Sequence, residues 1–163
     1  MKEIVLTQGQ VALVDDEDFE RLNQYKWTAV KSKAGWYAQR KLKTKNKNGY
    51  LIKIKMHRSI LGLGTLEENK ILVDHIDHNG LNNQKSNLRL ATSLQNGANC
   101  RNRTDGVSKY KGVTYRGNTW VARIGVNNQR IYLGSYRTEK EAAITYNEAA
   151  KQHFGCFAFL NNV

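Results

Sequence analysis

The chain has 163 residues, enough for one ordinary domain or two small ones, and its 26 lysines and arginines against 14 aspartates and glutamates leave a net charge of +12. Such an excess favours a polyanionic partner, nucleic acid, over a merely soluble basic protein. Two cysteines, Cys100 and Cys156, cannot build a disulfide framework or a four-cysteine zinc site, which favours a reducing, cytoplasmic compartment. The start lacks the apolar run of a signal peptide, and no window reaches membrane-spanning length, so we expect no membrane association.

Two short apolar runs, residues 4–6 and 11–14, flank a Gln8-Gly9 pair and predict a small β-hairpin. An acidic cluster then follows, formed by Asp15, Asp16, Glu17, Asp18 and Glu20. It lies where a short helix over residues 16–25 would begin, and negative charge stabilises that end of a helix. We therefore interpret the cluster as a helix start, with a metal site as the alternative.

Three strands are predicted next, over residues 27–30, 36–42 and 50–56, with a turn at 31–35. In the third strand Ile52, Ile54 and Met56 share one face, which predicts a half-buried strand. Residues 26–58 contain eleven basic side chains and no acidic one, a pattern that favours a surface following DNA phosphates over a plain solvated face. The candidate phosphate contacts are Lys43, Lys45, Lys47 and Arg58.

A short helix is predicted over residues 57–61, ending near Gly62 or Gly64. His57 at its start has no nearby base or metal ligand in the sequence, so a structural histidine is favoured over one that approaches a scissile phosphate.

The central stretch, residues 73–96, begins as an apolar strand that ends in Asp74-His75 and continues into a polar, Asn-rich loop. Residues 88–91 predict a second strand, and Thr92-x-x-Gln95 opens a helix. Asp74 is a hard oxygen ligand suited to Mg²⁺ or Mn²⁺, and a neutral His75 can take a proton from water near pH 7. Asn96, just inside the helix, can complete a metal site, and Asn87 can hydrogen-bond across the loop to fix His75. These residues alone leave two interpretations open, a metal-dependent phosphodiesterase and an Asn-rich turn of a non-enzyme.

After Asn96 the composition becomes polar and basic, and a linker is predicted at residues 104–108. Beyond it, strands are predicted over residues 112–116, 120–126 and 130–133, with turns at Gly117-Asn118 and Asn127-Asn128. A capping box at residues 138–141 begins a helix whose alanines and aromatics recur at helical spacing, and Gly155 ends it. The sheet face away from this helix carries arginines and has the dimensions to enter a DNA major groove.

The central stretch resembles the HNH endonuclease motif in its His-Asn-Asn form: VDHID at 73–77, NNQKSNLR at 82–89 and Gln95-Asn96. Residues 14–18 and 56–58 also resemble phage and intron-encoded HNH homing endonucleases. The resemblance implies a ββα-metal finger in which Asp74 and Asn96 hold one Mg²⁺ or Mn²⁺ ion, His75 is the general base and Asn87 orients the loop carrying His75. Asn99 is the alternative ligand. Because this chain lacks the cysteine pairs of zinc-bearing family members, we expect no structural zinc.

The last third resembles the ethylene-response-factor (AP-two type) DNA-binding domain, through YKGV at 110–113, WVARI at 120–124, YLGSY at 132–136, EAA at 141–143 and YNEAA at 146–150. The resemblance implies a three-stranded sheet that reads the major groove, with DNA-facing candidates at Lys111, Thr114, Arg116, Arg123, Arg130 and Tyr132. Thr114 and Gly125 stand where the plant domains usually carry arginine, so the plant target sequence is not expected to transfer.

The sequence therefore predicts an α+β protein: an N-terminal basic β-rich region with an HNH finger (residues 1–103, finger core 72–100), the linker, and a small domain of three antiparallel strands on one helix (109–163). The expected function is a site-selective, homing-type endonuclease that acts on double-stranded DNA as a monomer, nicks one strand, and needs no obligate protein partner, in a bacterial or phage-infected cell. Two alternatives stay open: a DNA-binding regulator with an inactive finger, and a poorly specific nuclease.

Overall fold

The computed structural model describes residues 1–65, 71–100 and 107–163 of an α+β protein. The chain divides into two compact units, Met1–Thr92 and Ser93–Val163. This division falls well before the predicted linker at 104–108, of which residues 104–106 lie outside the described residues. The helix that closes the predicted HNH finger is consequently grouped with the second unit.

The first unit starts with the predicted hairpin, β1 (Lys2–Val5) and β2 (Val11–Val14), whose turn places Gln8 and Gly9 at φ of 61° and 66°. The remaining elements before the finger are α1 (Asp16–Asn23), an antiparallel sheet of β3 (Thr28–Ser32), β4 (Gly35–Lys45) and β5 (Leu51–Lys55), and α2 (Met56–Ile60). β3 and β4 are longer than predicted, so their turn shortens to Lys33 and Ala34. Gly62 and Gly64, both at positive φ, follow α2 as expected.

The core of the first unit is built on Trp27, which is 1% exposed and donates a hydrogen bond from Nε1 to the Leu22 carbonyl at 2.9 Å. Around it lie apolar side chains from the hairpin, α1, the sheet and α2: Ile4, Leu6, Ala12, Val14, Leu22, Ala29, Ala38, Met56 and Ile60. Burial of one face of β5 agrees with its predicted alternation, since Ile54 is buried and Lys53 is exposed.

The finger begins with β6 (Leu72–His75), which pairs antiparallel with β7 (Leu88–Ala91), and continues into α3 (Ser93–Ala98). The loop between β6 and β7 is fastened to β2 by two backbone hydrogen bonds of 2.8 Å, Leu13 N–H to Leu81 and Asn83 N–H to Leu13. Gly80 lies against β4 so closely that a Cβ there would stand 2.4 Å from the Trp36 carbonyl oxygen. The β6–β7 loop is therefore packed against β2 and β4.

The acidic cluster forms the start of α1, as predicted, and also contacts the β6–β7 loop of the finger. The Asp15 carboxylate accepts from the Lys85 backbone N–H at 2.7 Å, while the Lys85 ammonium pairs with Glu17 and Asp18. These acids therefore act as structural partners of the finger loop.

In the second unit, β8 (Val113–Arg116), β9 (Thr119–Val126) and β10 (Gln129–Tyr136) form an antiparallel sheet covered on one face by α4 (Glu139–Phe154). The β9–β10 turn has Asn127 and Asn128 at φ of 50° and 63°, as a tight hairpin turn requires. The Thr138–Glu141 capping box and the Gly155 end of α4 are both confirmed.

Small side chains let α4 lie close to the sheet: Ala142, Ala143 and Ala150 are fully buried. Gly112 is required at its position, since its φ is +77° and a Cβ would stand 2.0 Å from the Tyr146 ring. Within the described ranges, no helix is long and apolar enough to cross a membrane.

Candidate active site and nucleic-acid interface

Asp74 lies near the end of β6, where the strand leaves its carboxylate 6% exposed. The β6–β7 register places it directly opposite Arg89, whose Nε and Nη2 donate to Asp74 Oδ2 at 2.8 and 2.7 Å. This ion pair fixes the rotamer of the carboxylate at the strand end. Arg89 had no assigned role at the level of sequence, because the cross-strand pairing that brings it to Asp74 depends on the register.

His75, the next residue, points to the other face of β6 and is 6% exposed. Its ring lies edge-on to those of His57 and Tyr37, with centroid separations of 5.0 and 5.9 Å. Burial lowers the pKa of His75, although a hydrogen bond from the ring to Asn83 and the charges of Asp77 and Asp74 act in the opposite direction. His75 is therefore neutral near pH 7, the form that can accept a proton.

Asn83 makes the side-chain contact to His75, a long hydrogen bond of 3.4 Å between His75 Nε2 and Asn83 Oδ1. The Asn83 amide nitrogen already donates to the Leu81 carbonyl at 3.1 Å, so its oxygen is the atom that faces the ring. An acceptor there favours the tautomer with hydrogen on Nε2 and the lone pair on Nδ1. Sequence reasoning missed Asn83, which stood among several loop asparagines without a distinguishing signal.

Asn87 closes the loop that carries His75. Its Oδ1 accepts from the Asp77 backbone N–H at 3.0 Å, and its Nδ2 donates to Asp77 Oδ1 at 2.9 Å and to the Asn82 carbonyl at 2.8 Å. Its own carbonyl accepts from the N–H of Ile76 at 3.0 Å. These contacts immediately follow His75 in the chain, which is the arrangement that a loop-orienting role requires.

Asp77 is a second residue that the sequence did not single out. Although partial burial opposes its charged form, hydrogen bonds from the Asn79 backbone and from the Asn82 and Asn87 side chains lower the pKa of its carboxyl. The charged Asp77 thus accepts hydrogen bonds from several amides of the loop. The sequence pattern that marks this arrangement is the Asn-rich turn after Asp77.

His57 is 4% exposed, and the structural interpretation requires such burial. Its ring packs against that of His75, a residue far from it in sequence. Burial, together with the nearby His75, Lys55 and Arg58, lowers the pKa of His57 to about 2. His57 is therefore a neutral ring packed against His75 and not a charged group.

Acid should destabilise the first unit through His57. Its folded pKa of about 2 lies below the value of 6.5 in an unfolded chain, so unfolding takes up a proton between these limits. The free energy of unfolding should fall as pH drops below 6.5, by about 2 kcal/mol between pH 7 and pH 5 from this group. A His57→Phe variant keeps an aromatic ring and loses this term, which urea unfolding at the two pH values measures. If the free energy of unfolding fell equally in wild type and His57→Phe between the two pH values, the lowered pKa would not belong to His57. The exposed His153→Phe serves as control.

Asn96 is the fourth residue of α3 and is half-buried, whereas Asn99, the alternative ligand, is 5% exposed just beyond the end of that helix. Asp74 and Asn96 offer a carboxylate and an amide oxygen, the hard donors that Mg²⁺ accepts while keeping several waters and a substrate phosphate. By chemical type, these two oxygens suit a divalent cation of this kind. Across the described residues no group of three or more His, Cys, Asp or Glu side chains is placed to hold a metal.

The open face of the second unit's sheet carries the predicted groove-reading side chains. The register pairs Arg123 with Tyr132 and Gly125 with Arg130, and residues paired across strands share a face. On the other edge Thr114 lies opposite Val121 and Arg116 opposite Thr119, again on the face away from α4. Arg116, Arg130 and Tyr132 are exposed, and Thr114 and Arg123 are half-buried.

Two of the predicted DNA contacts make hydrogen bonds within the protein. Arg58 is 2% exposed, and its guanidinium donates to the carbonyls of Gly64, Ile71, Leu63 and Thr65 at 2.6–3.3 Å. The Lys111 ammonium donates to the carbonyls of Ala98 and Cys100, both at 2.7 Å. Both cations are engaged by backbone carbonyls of the protein itself, which argues against a phosphate contact for either.

The other basic candidates stay accessible. Lys43, Lys45 and Lys47 are all exposed at the far end of β4 and in the loop that leads to β5. Asn46 organises this loop by accepting backbone hydrogen bonds from Asn48 and Tyr50 at 3.0 Å.

Comparison with known proteins relates the finger and the second unit to two protein families. A family model described as HNH endonuclease matches residues 61–98. An uncharacterised HNH endonuclease of Acanthamoeba polyphaga mimivirus is 38% identical over 149 residues, covering 85% of this chain and 72% of the relative. An AP2-like ethylene-responsive transcription factor of Arabidopsis thaliana is 47% identical over 60 residues, 34% of this chain and 17% of the plant protein.

A dehydration-responsive element-binding protein of Oryza sativa subsp. japonica is 46% identical over 56 residues, 32% of this chain and 18% of that protein. The chain thus spans less than a fifth of these plant proteins, and the shared part has the size of one small domain. The mimiviral relative, in contrast, matches over most of both chains. The chain therefore belongs to the HNH endonuclease family and is a nuclease that carries, in addition, a DNA-binding domain of the ethylene-response-factor type.

Proposed function

We propose that the protein is a site-selective, homing-type DNA endonuclease that cuts one phosphodiester bond per active site and therefore nicks one strand per monomer. The observation that carries this proposal is the end of β6, where Asp74, ion-paired with Arg89, and the buried, neutral His75 are consecutive residues ahead of a loop that Asn87 braces. A separate sheet with arginines on its open face supplies the means to select a site.

In the proposed reaction His75 accepts a proton from the attacking water, and Asn87 and Asn83 hold its loop and ring. Asp74 and Asn96 are the ligands of a divalent cation, which would neutralise the scissile phosphate and assist the leaving oxygen. Arg89 holds the Asp74 carboxylate in one rotamer through its ion pair, so that the position of the proposed ligand is fixed.

The test of the proposal uses supercoiled plasmid that carries the protein's native locus, incubated with Mg²⁺ or with EDTA. Metal-dependent conversion to the nicked circle at one position is expected. A protein that binds this DNA but leaves it uncut in Mg²⁺ and in Mn²⁺ would instead be a regulator with an inactive finger. That second function has one observation in its favour, the Asp74–Arg89 ion pair, in which a cation of the protein already contacts the proposed ligand.

Arg123 lies in the central strand, on the open face, and is the first choice for a base contact. Replacing it with alanine should weaken binding to the native site by about 1–3 kcal/mol, roughly 5- to 150-fold, because a bidentate contact to a base is lost. Nicking should also spread to competing sites, which primer-extension mapping of the cut positions measures. Lys140→Ala removes the same charge from the exposed side of α4 and is the matched control. An equal effect of both variants would mean that only net charge matters.

A further inference from the structure

Lys111 connects the helix that bears Asn96 to the rest of the second unit. The helix in question, α3, has six residues, fewer than two turns, and helices of that length are not stable without tertiary support. Its last carbonyl groups have no partner within the helix and need donors from elsewhere. The Lys111 ammonium donates one such hydrogen bond, to Ala98 at the end of α3, and a second to the carbonyl of Cys100, two residues beyond the helix, at 2.7 Å each.

The position of Lys111 is itself fixed by a chain of paired amides. The Lys111 backbone N–H donates to Asn161 Oδ1 at 2.7 Å, and Asn161 Nδ2 donates to the Lys111 carbonyl at 3.1 Å. Asn161 is in turn held by Asn147 of α4, through bonds of 2.7 and 2.8 Å in both directions. A continuous chain of hydrogen bonds therefore connects α4, through Asn161 and Lys111, to the end of α3.

A positive charge at this place also has favourable electrostatics. The C-terminal end of a helix carries partial negative charge, which a cation stabilises. Phe159 adds a second donor, its backbone N–H, to the Ala98 carbonyl at 3.4 Å, and its ring lies 5.5 Å from the Lys111 ammonium. The ammonium thus lies between two backbone carbonyls and an aromatic ring at the end of α3.

We propose that Lys111 is a positioning residue of the nuclease, whose ammonium group holds α3, and with it Asn96, on the DNA-binding unit. This inference rests on the proposed role of Asn96 as a metal ligand. In consequence the same domain that selects the DNA site also sets the position of one ligand of the cutting centre. Lys111, which the resemblance to plant domains assigns to DNA, acts here on the protein itself.

The experiment compares full-length wild type with Lys111→Met, which keeps the apolar stem and loses the donors, and with Lys111→Arg, which keeps charge and donors. Lys109→Met removes the same charge from an exposed lysine two positions away and is the matched control. Circular dichroism verifies that each variant is folded at the assay temperature. Two quantities are measured: hydrogen exchange of the peptide spanning residues 93–100, without DNA or metal, and the Mg²⁺ concentration that gives half-maximal nicking.

For Lys111→Met we expect faster exchange at the Asn99 and Cys100 amides, whose backbone bonds close the end of α3. We also expect about a 10-fold higher Mg²⁺ requirement, the size typical for loss of a residue that orients a metal ligand. Lys111→Arg should recover most of both effects, and DNA affinity and its salt dependence should equal those of Lys109→Met.

Unchanged exchange over residues 93–100 in Lys111→Met would overturn the proposal, as would an unchanged Mg²⁺ requirement. A loss of DNA affinity with a salt slope shallower by about one unit would also overturn it, since that is the result for a phosphate contact. If wild type itself fails to nick, the proposed function falls, and the exchange result alone then decides whether Lys111 holds α3.

Discussion

Replacement of His75 with alanine is expected to slow metal-dependent nicking by about 100- to 10,000-fold, the range in which loss of a general base falls. His75 is neutral because it is buried, it lies beside a charged Asp74, and its loop is braced by Asn87. The proposed role of His75 is in the chemical step, whereas the proposed DNA contacts lie on the exposed basic loop of the first unit and on the sheet of the second unit. DNA affinity in EDTA should therefore stay within about twofold of wild type, while the rate constant for nicking in Mg²⁺ falls.

The assay measures single-turnover nicking of the native locus on supercoiled plasmid. His153→Ala is the control, since it removes an exposed histidine from the last turn of α4. Undiminished nicking by His75→Ala would rule out the assigned base. A parallel fall in DNA affinity and nicking rate would instead indicate that the substitution disturbs the finger as a whole, and urea unfolding of the variant would identify that case.

Elements with local chemical signals were predictable from the sequence. The capping box at Thr138–Glu141 begins α4, and the Asn127-Asn128 pair forms the turn between β9 and β10. In both cases the residues that determine the structure are neighbours in the chain, so their pattern is sufficient. The face of the second sheet that carries Arg123 and Arg130 was likewise predictable, because alternation along a strand needs no knowledge of distant contacts.

The site depends on contacts between residues far apart in sequence, and these were not predictable. His57 was interpreted correctly as structural, yet its position against His75 arises only when α2 and β6 pack together. Lys111 was assigned to DNA through the resemblance to the plant domains, and the backbone carbonyls that its ammonium contacts have no signature in sequence. The boundary between the two compact units, which falls between Thr92 and Ser93, likewise depends on contacts made in the folded chain and not on local composition.

Arg58 should prove to be a major contributor to the stability of the first unit. Its guanidinium, 2% exposed, donates to four backbone carbonyls in the segment after α2 and before β6. Arg58→Met leaves those carbonyls without their donor in a buried position, and a lost bond to a charged group costs about 1.5–3 kcal/mol. A decrease of about 3 kcal/mol or more in the free energy of unfolding is expected from urea titration, together with a melting temperature lower by roughly 10 °C or more.

Arg58→Lys separates this structural role from a phosphate contact. Lysine keeps the positive charge but lacks the planar fork that reaches several carbonyls at once, so its stability should stay closer to that of Arg58→Met than to that of wild type. If Arg58 contacted a phosphate, lysine would preserve both stability and DNA affinity. Lys45→Met provides the opposite control, because this exposed lysine of β4 should weaken DNA binding and reduce its salt dependence by about one unit without lowering stability. The contrast between the two positions shows that burial and partners, rather than charge, decide which cations of the basic run are available to DNA.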